Sequence, residues 1–285
     1  MKKVIMLPNP HKDTNLSMTE KVVEKLNALG VKSYLDNKYA NYNLSGVEFY
    51  TTLPTDADIM IVVGGDGSII DASPLATELG IPVLGINLGK VGYLTEVDPD
   101  QLDLLERIPR GDYKVSSKML LSATKHTTDG SCINFERFAV NDIIISHENY
   151  LGLSDMRIEN DRGDQVSYRA DSIILSTPQG STAYALSAGG PIVSHTIDCI
   201  TVTPVCPHSF FNRSIIYGSE EKLRITNISS QPLKISIDGR LVDILLPSEC
   251  CIVSKSERRL KMVAFEESNL FSTLSKKIRH LQDLV

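Results

Sequence analysis

Small and hydroxyl-bearing residues are concentrated in two segments that each follow an apolar stretch. The first is Gly64-Gly65-Asp66-Gly67-Ser68 and the second is Thr177-Pro178-Gln179-Gly180-Ser181-Thr182. Glycine lets a phosphate approach the backbone, and free N–H groups at the start of a helix favour an anion. A carboxylate such as Asp66 repels phosphate, so its presence indicates a bound Mg²⁺ ion or proton transfer from an attacking hydroxyl. Together the segments predict a site where a polyphosphate meets a hydroxyl to be activated.

Each segment also has a purely structural interpretation. The first could be a tight strand-to-helix turn in which Asp66 caps the helix, and the second a long connection between strands. The dinucleotide fingerprint G-x-G-x-x-G does not follow the first strand, and no G-K-[ST] of a Walker A loop occurs. Any nucleotide therefore binds by another scheme.

Three further polar groups lie within predicted strands or turns. Asn141-Asp142 interrupts an apolar strand, so at least one of these side chains faces the core, either to bind ribose hydroxyls or as a satisfied pair or bulge. Arg169 and Asp171 are two residues apart on a predicted strand and share a face, which favours a structural ion pair. Asp238-Gly239 between two strand patterns predicts a hairpin turn.

The elements that must position these residues follow two patterns. Over the first 100 residues, strand and helix signals alternate, with apolar strands predicted at 3–7, 31–35, 57–63 and 81–87. Helices are predicted to begin near Asn15 and Ser68 and to end at Gly30 and Gly80. A continuous apolar run such as 57–63 is typical of a strand buried on both faces of a parallel sheet. This is the pattern of a doubly wound α/β domain.

From about residue 113, strand follows strand with only turns between. Strands are predicted at 113–123, 135–146, 154–159, 165–176, 222–228, 233–237, 241–246 and 250–254. This predicts a second, all-β domain that is β-sandwich-like. The tail, residues 270–284, shows helical spacing of apolar residues and is expected to pack on one of the domains.

The composition excludes several classes of protein. A chain of 285 residues favours two domains. A formal charge of −6 argues against sequence-independent binding to nucleic acid. The sequence has no run of about 18 apolar residues, so no membrane span or membrane partner is expected. Five cysteines without framework spacing predict reduced thiols in the cytoplasm, and the six histidines lack the spacing of a zinc site.

The chain resembles the NAD kinase family over nearly its whole length. The resemblance rests on the Gly64–Ser68 segment, residues 85–95, Asn141-Asp142, residues 176–191, Pro207-His208 with Arg213, and Asp238-Gly239. The segment at 176–191 is the most specific to this family, because lipid kinases and phosphofructokinases carry a segment similar to Gly64–Ser68.

The resemblance implies ATP-dependent phosphorylation of the adenosine ribose 2′-hydroxyl of NAD, with Mg²⁺ as the divalent cation. Asp66 would be the proton acceptor. The other residues implied in binding are Gly67, Asn141, Asp142, Arg169, Asp171, Thr182, Ala183, Tyr184, Ala185, Leu186 and Ser187. Arg169 and Asp171 would contribute to the dinucleotide pocket of their own subunit or of a neighbouring one, in a homotetramer or homodimer.

The resemblance also implies a division of the chain. Residues 1–100 would form a nucleotide-phosphate-binding α/β domain and residues 101–256 an all-β dinucleotide-binding domain. Residues 257–285 would return to the first domain. We expect the two small-residue segments to form the two sides of one cleft.

Four residues depart from the family pattern: Ser68, Gln179, Ser214 and Arg240. None of them removes a proposed catalytic group. Two other functions stay open on the sequence alone, a kinase of the same loop type that acts on a lipid or sugar phosphate, and a dinucleotide sensor without activity. The intact carboxylate of Asp66 disfavours a sensor, and the lack of an exposed apolar segment disfavours a lipid substrate.

Overall fold

The structure is a computed structural model that describes residues 1–89, 92–147, 152–208 and 211–266. The chain divides into two compact units, 1–117 with 260–285, and 118–259. The predicted helix at 270–284 lies outside the described residues, as do Lys90 and Val91 of the matched segment at 85–95. Within the described ranges, no helix is both long and apolar enough to cross a membrane.

The first unit is built on a parallel sheet. Its strands and helices are β1 (Lys3–Pro8), α1 (Ser17–Ala28), β2 (Lys32–Asp36), β3 (Val47–Tyr50), β4 (Ile59–Gly64), α2 (Asp66–Leu79) and β5 (Val83–Asn87). The strand order is β5-β4-β1-β2-β3, and every neighbouring pair is parallel. All six residues of β4 are buried, which explains its uninterrupted apolar sequence. The carboxyl ends of β1, β4 and β5 lie side by side at one edge, where open α/β sheets bind ligands.

The second unit consists mainly of antiparallel strands. Its elements are β6 (Lys114–His126), β7 (Cys132–Asn134), β8 (Asp142–His147), β9 (Ser154–Glu159), β10 (Gln165–Ala170), β11 (Ser172–Ser176), α3 (Tyr184–Ser187), β12 (Cys199–Val205), β13 (Ile215–Gly218), β14 (Leu223–Asn227), β15 (Leu233–Ile237), β16 (Arg240–Leu245) and β17 (Cys250–Ala264). The end residues of β6 and β17 count with the first unit. One sheet has the order β13-β12-β11-β8-β15-β16, and the strands β10-β9-β14-β17 belong to another. Side chains from both sheets form one buried core, as in a sandwich.

The predicted combination of an α/β domain and an all-β domain is confirmed. Helix α1 ends before Gly30, and α2 ends at Gly80, whose φ of 67° suits glycine. The predicted two-residue hairpin turn is also present, with φ of 48° at Asp238 and 75° at Gly239 between β15 and β16.

Several predicted boundaries are wrong, and in the largest case tertiary pairing divides an apolar run. The run 165–176 is two strands, β10 and β11, which belong to different sheets and meet at Asp171. Arg169 and Asp171 are therefore not on one strand, and in the described part of the chain they form no ion pair. Strand β8 begins at Asp142 rather than near residue 135, and α2 begins at Asp66 rather than at Ser68. The sequence analysis missed β3, β7, β12 and β13.

Candidate functional site

Asp66 is held at the start of α2 by the backbone of the loop after β5. Its Oδ1 accepts hydrogen bonds from the N–H groups of Tyr93 (3.1 Å) and Leu94 (3.0 Å), and its Oδ2 lies 3.0 Å from the Tyr93 nitrogen. The side chain is half-buried. A carboxylate has about four lone-pair positions, so two N–H donors orient it and leave capacity for a proton.

The next residue, Gly67, gives the turn an open face. It is exposed, and a Cβ added there would meet nothing within 4 Å. The neighbouring Gly64 and Gly65 do not have positive φ. At Gly64 close approach requires glycine, because a Cβ there would lie 2.3 Å from Ser68 Oγ. The turn is thus packed on one side and open at Gly67.

The loop after β1 completes this edge of the first unit, and the sequence analysis missed it. Asn9 donates from its N–H to the Val63 carbonyl (2.9 Å) and from Nδ2 to Ser68 Oγ (2.7 Å). Lys12 follows, and its Nζ lies 2.5 Å from the position that a Cβ of residue 65 would occupy. The signal was available, since Asn9-Pro10 directly follows the first strand at the ligand-binding edge of the predicted sheet.

In the second unit, Asn141 and Asp142 are fixed by the turn residue Asp238. The Asp238 carboxylate accepts hydrogen bonds from three successive backbone N–H groups, those of Val140 (2.9 Å), Asn141 (2.8 Å) and Asp142 (3.1 Å). The Asp238 N–H donates to the Asp142 carbonyl (3.0 Å). Asp238, which the turn pattern predicted only to make a turn, therefore anchors Asn141 and Asp142. Asp142 and Asp238 are 96 positions apart in the chain, and no local sequence pattern predicts their contact.

Burial and the neighbouring Asp238 carboxylate shift the pKa of Asp142. Asp142 is 4% exposed, and burial together with the nearby charge of Asp238 raises the pKa of Asp142 to about 7. Burial also raises the pKa of Asp238, although its three backbone donors oppose that rise. Asp142 is consequently close to the midpoint of its titration at neutral pH.

The second small-residue segment packs directly on Asn141. Thr177 donates from its N–H to the Asn141 carbonyl (2.9 Å) and from Oγ1 to the Val140 carbonyl (2.6 Å), and its Oγ1 accepts from the Gly180 N–H (2.9 Å). A Cβ at Gly180 would lie only 2.0 Å from the Asn141 oxygen, so only glycine fits. Gln179 is 4% exposed, and its Oε1 has no hydrogen-bond partner among the described residues.

The predicted binding residues after Gly180 divide by exposure. Thr182 and Ala185 are buried, Ala183 and Leu186 are half-buried, and Tyr184 and Ser187 are exposed. Gly180–Thr182 forms one 3-10 turn, and α3 is a single helical turn. Through Thr177 and Gly180, the structure holds the start of this segment against Asn141.

Arg169 and Asp171 lie elsewhere in the second unit. Asp171 precedes the five residues of β11 and Thr177 follows them, so they are separated by roughly 17–20 Å of extended chain. The backbone of Asp171 pairs instead with His147 and Val205 at the far ends of β8 and β12. Within one chain, Arg169 and Asp171 do not join the cluster around Asn141.

The described residues offer a metal ion at most small sets of carboxylates. Among the described residues, no group of three or more His, Cys, Asp or Glu side chains could hold a metal ion. Mg²⁺ is commonly bound by one or two carboxylates together with substrate phosphates. The donor set therefore fits a Mg²⁺ ion that arrives with a nucleotide and does not fit a resident metal centre.

Comparison with known proteins shows which family this chain resembles. The family models for the ATP-NAD kinase N-terminal and C-terminal domains match residues 4–113 and 140–265. An NAD kinase of Caldanaerobacter subterraneus is 34% identical over 286 residues, covering 98% of this chain and 99% of that protein. An NAD kinase of Thermoanaerobacter sp. is 35% identical over 284 residues, with the same shares covered.

Two solved structures share the fold. Yeast NADH kinase complexed with NADH has a TM-score of 0.85 at 24% identity. The match covers 96% of this chain and 86% of the yeast chain. An NAD kinase from Archaeoglobus fulgidus in complex with ATP has a TM-score of 0.71 at 24% identity. The match covers 97% of this chain and 99% of that structure's chain. With both family domains matched in order and relatives above 30% identity aligned end to end, this chain belongs to the NAD kinase family.

Proposed function

We propose that this protein transfers the γ-phosphate of ATP to the 2′-hydroxyl of the adenosine ribose of NAD, which makes NADP and ADP. The observation that carries the proposal is the Asp66 carboxylate, held by the N–H groups of Tyr93 and Leu94 beside the open backbone of Gly67. This is one oriented proton acceptor next to a turn that a phosphate can approach.

The reaction needs positioning and charge neutralisation more than covalent chemistry. The ribose 2′-oxygen attacks the γ-phosphorus, the bond from phosphorus to the β–γ bridging oxygen breaks, and ADP leaves. The 2′-hydroxyl proton passes to Asp66. Because the transition state is loose, the proton is needed late, and a carboxylate is a sufficient base. A Mg²⁺ ion that arrives with ATP would supply charge neutralisation, and the Asp66 carboxylate would help to hold it.

The acceptor dinucleotide would be held by the second unit. Asn141 and Asp142 would bind ribose hydroxyls and neighbouring groups of NAD, and residues 182–187 would line the adenine and phosphate side. In support, the Asp238 carboxylate and the Thr177 hydroxyl fix this backbone before a ligand arrives, which lowers the entropic cost of binding.

Arg169 and Asp171 would reach a dinucleotide on another copy of the chain, in a homodimer or homotetramer. Their separation from Asn141 along β11 supports this arrangement. The protein would work in the cytoplasm, in keeping with five cysteines that are all free thiols.

A coupled assay tests the function. The full-length protein is incubated with NAD, ATP and Mg²⁺, and NADP is detected with glucose-6-phosphate dehydrogenase. We expect NADP to form only when all three components are present. Transfer of phosphate from ATP to diacylglycerol or fructose 6-phosphate without NADP would replace the proposal by another kinase, and NAD binding without transfer would indicate a sensor.

Light scattering coupled to size-exclusion chromatography tests the assembly, with a dimer or tetramer expected. An active monomer in which Arg169→Ala leaves the KM for NAD unchanged would overturn the assignment of Arg169 to a neighbouring copy's site.

A further inference from the structure

The loop after β5 supplies both backbone donors to the Asp66 carboxylate, and its far end returns to the strand that it left. Of this loop, the structure describes residues 88–89 and 92–98. Where the chain returns, the Val97 N–H donates a hydrogen bond to the Gly85 carbonyl (3.1 Å). Backbone pairing with β5 therefore fixes the returning end of the loop.

The Asn87 side chain joins the two ends. Its Oδ1 accepts a hydrogen bond from the Gly89 N–H (2.9 Å), and its Nδ2 donates to Asp98 Oδ1 (2.9 Å). The orientation of the amide follows from its partners, because an N–H group can only donate and an ionised carboxylate can only accept. One side chain thus connects the point where the chain leaves β5 to the point where it comes back. We call Asn87, Gly89 and Asp98 the clasp.

The clasp also contacts the turn that carries Asp66. A Cβ added at Gly89 would lie 3.7 Å from the Cα of Gly65, the residue immediately before Asp66. Next to the clasp, the Leu88 N–H donates to the Gly64 carbonyl at 2.6 Å. The position of the clasp therefore bears both on the turn that carries the carboxylate and on the loop that carries its hydrogen-bond donors.

We infer that Asn87 and Asp98 are positioning residues for phosphoryl transfer. The hydrogen bond between them sets the loop so that its two backbone donors hold the Asp66 carboxylate toward the ribose hydroxyl. The inference rests on the proposed function and adds the residues that orient its proton acceptor. Neither side chain has to touch a substrate, because a misplacement of about 1 Å at the reacting groups can lower a rate about 100-fold.

The first experiment exchanges the two side chains. Asn87→Asp places two carboxylates where one hydrogen bond of 2.9 Å was, so we expect kcat to fall about 10- to 100-fold, with the KM for ATP and for NAD changed less than about threefold. Asp98→Asn keeps an oxygen that accepts from Asn87, so most of kcat should remain. The double variant Asn87→Asp/Asp98→Asn restores the bond with donor and acceptor reversed and should regain most of the lost kcat.

The double variant decides this experiment. It has the same net charge as the wild type, so a recovery cannot come from charge alone. A double variant that melts like the wild type in circular dichroism but is as slow as Asn87→Asp would overturn the inference.

Two neighbouring aspartates provide a matched comparison. Asp98→Ala removes the acceptor of the clasp and should lower kcat at least about tenfold. Asp100→Ala removes the same charge from an exposed position in the same segment and should match the wild type. Equal kcat values for the two variants would contradict a role of the clasp.

A double-mutant cycle with Asp66→Asn separates positioning from general stabilisation. If the clasp acts through the Asp66 carboxylate, Asn87→Ala should slow the wild type about 10- to 100-fold but slow Asp66→Asn less than about twofold, because the group that it positions is already disabled. An equal loss in both backgrounds would show that Asn87 acts independently of Asp66 and would overturn the inference.

Hydrogen exchange separates this inference from the proposed function, because it requires no turnover. Exchange of the Tyr93 and Leu94 amides is followed without substrates by mass spectrometry with electron-transfer fragmentation. Asp66→Ala should raise exchange at both amides at least about tenfold, and Asn87→Asp should do the same, whereas Asp98→Asn should keep wild-type protection.

That pattern supports the clasp even if the protein makes no NADP. A wild type that makes NADP, together with an Asn87→Asp variant that keeps both wild-type protection of these amides and wild-type kcat, would overturn the inference and leave the proposed function standing.

Discussion

Asp238 and Asp142 are joined by two backbone hydrogen bonds, one from the Asp142 N–H to the Asp238 carboxylate (3.1 Å) and one from the Asp238 N–H to the Asp142 carbonyl (3.0 Å). Two carboxylates are thereby buried together at the start of β8. Burial raises the pKa of both carboxyl groups, the charge of Asp238 raises the pKa of Asp142 further, and the charge of Arg137 opposes the rise at Asp238. The site is therefore sensitive to pH.

The stability of the second unit should fall as pH rises through neutrality. The pKa of Asp142 is raised to about 7 in the folded chain, against about 3.9 for a free aspartate. The folded state therefore binds the proton more tightly than the unfolded state. The stability this contributes is fully present below about pH 4 and is lost as the pH rises through about 7.

Asp142→Asn removes this titration and provides the measurement. Between pH 5 and pH 8 the free energy of unfolding should fall in both proteins. We expect the fall to be about 2–4 kcal/mol smaller in the variant than in the wild type. Urea unfolding at both pH values measures it. Equal slopes for the two proteins would show that Asp142 is ionised throughout.

Asp238→Ala should weaken the fold and the binding of NAD together. It leaves three buried backbone N–H groups without their acceptor, at about 1–3 kcal/mol for each group that water does not reach. We expect a loss of at least about 2 kcal/mol of stability and a higher KM for NAD, with the KM for ATP unchanged.

Asp238→Asn separates the two effects, because asparagine keeps one acceptor oxygen and tolerates a positive φ. It should recover part of both losses. If Asp238→Ala lowers stability but leaves the KM for NAD at its wild-type value, Asp238 does not position Asn141 for the ligand.

Asp66→Asn should leave the fold intact and reduce turnover. The amide cannot accept the ribose proton, and general-base effects are typically about 10²–10⁴-fold. The coupled NADP assay measures kcat, and Asp100→Asn controls for loss of one negative charge at an exposed position. Turnover within about threefold of the wild type would remove Asp66 from the role of base.

Gly180→Ala should disrupt the packing of the second segment on Asn141. The added methyl group would lie 2.0 Å from a backbone oxygen, which cannot yield as a flexible side chain would. We expect more than about 3 kcal/mol of destabilisation and a raised KM for NAD. Gly218→Ala is the matched control, since its Cβ meets only Glu221 Oε1 at 3.4 Å. Similar melting temperatures for the two variants would contradict the close approach.

Asp13→Ala should loosen the start of α1. Asp13 is 2% exposed and accepts hydrogen bonds from the Met18 N–H (2.8 Å), the Thr19 N–H (2.9 Å) and the Thr19 hydroxyl (2.6 Å). Loss of such a cap costs about 1–2 kcal/mol, and burial adds to this cost. Thermal melts measure the loss. Asp36→Ala, which loses one Lys38 N–H bond and an exposed ion pair with the same lysine, should cost less.

Local patterns predicted the parts of the fold that depend on local physics. The buried strand β4 is recognisable in the sequence because both of its faces exclude polar residues. The Asp238-Gly239 turn is recognisable because a two-residue hairpin needs two positive φ values. The segments that carry Asp66 and Thr177 stand out because small residues must accumulate wherever the backbone comes close to another group.

The sequence by itself therefore determined the order of α/β and all-β patterns, the family, and the identity of Asp66 and Asn141 as candidates. Only the tertiary structure decided which distant backbones meet. It divided residues 165–176 between two sheets, brought Asp238 onto Asn141 and placed Lys12 over Gly65. These relationships join positions far apart in the chain, and propensity and periodicity report only on neighbours. The contacts that hold the site are therefore set by sheet pairing and close packing, which no local pattern contains.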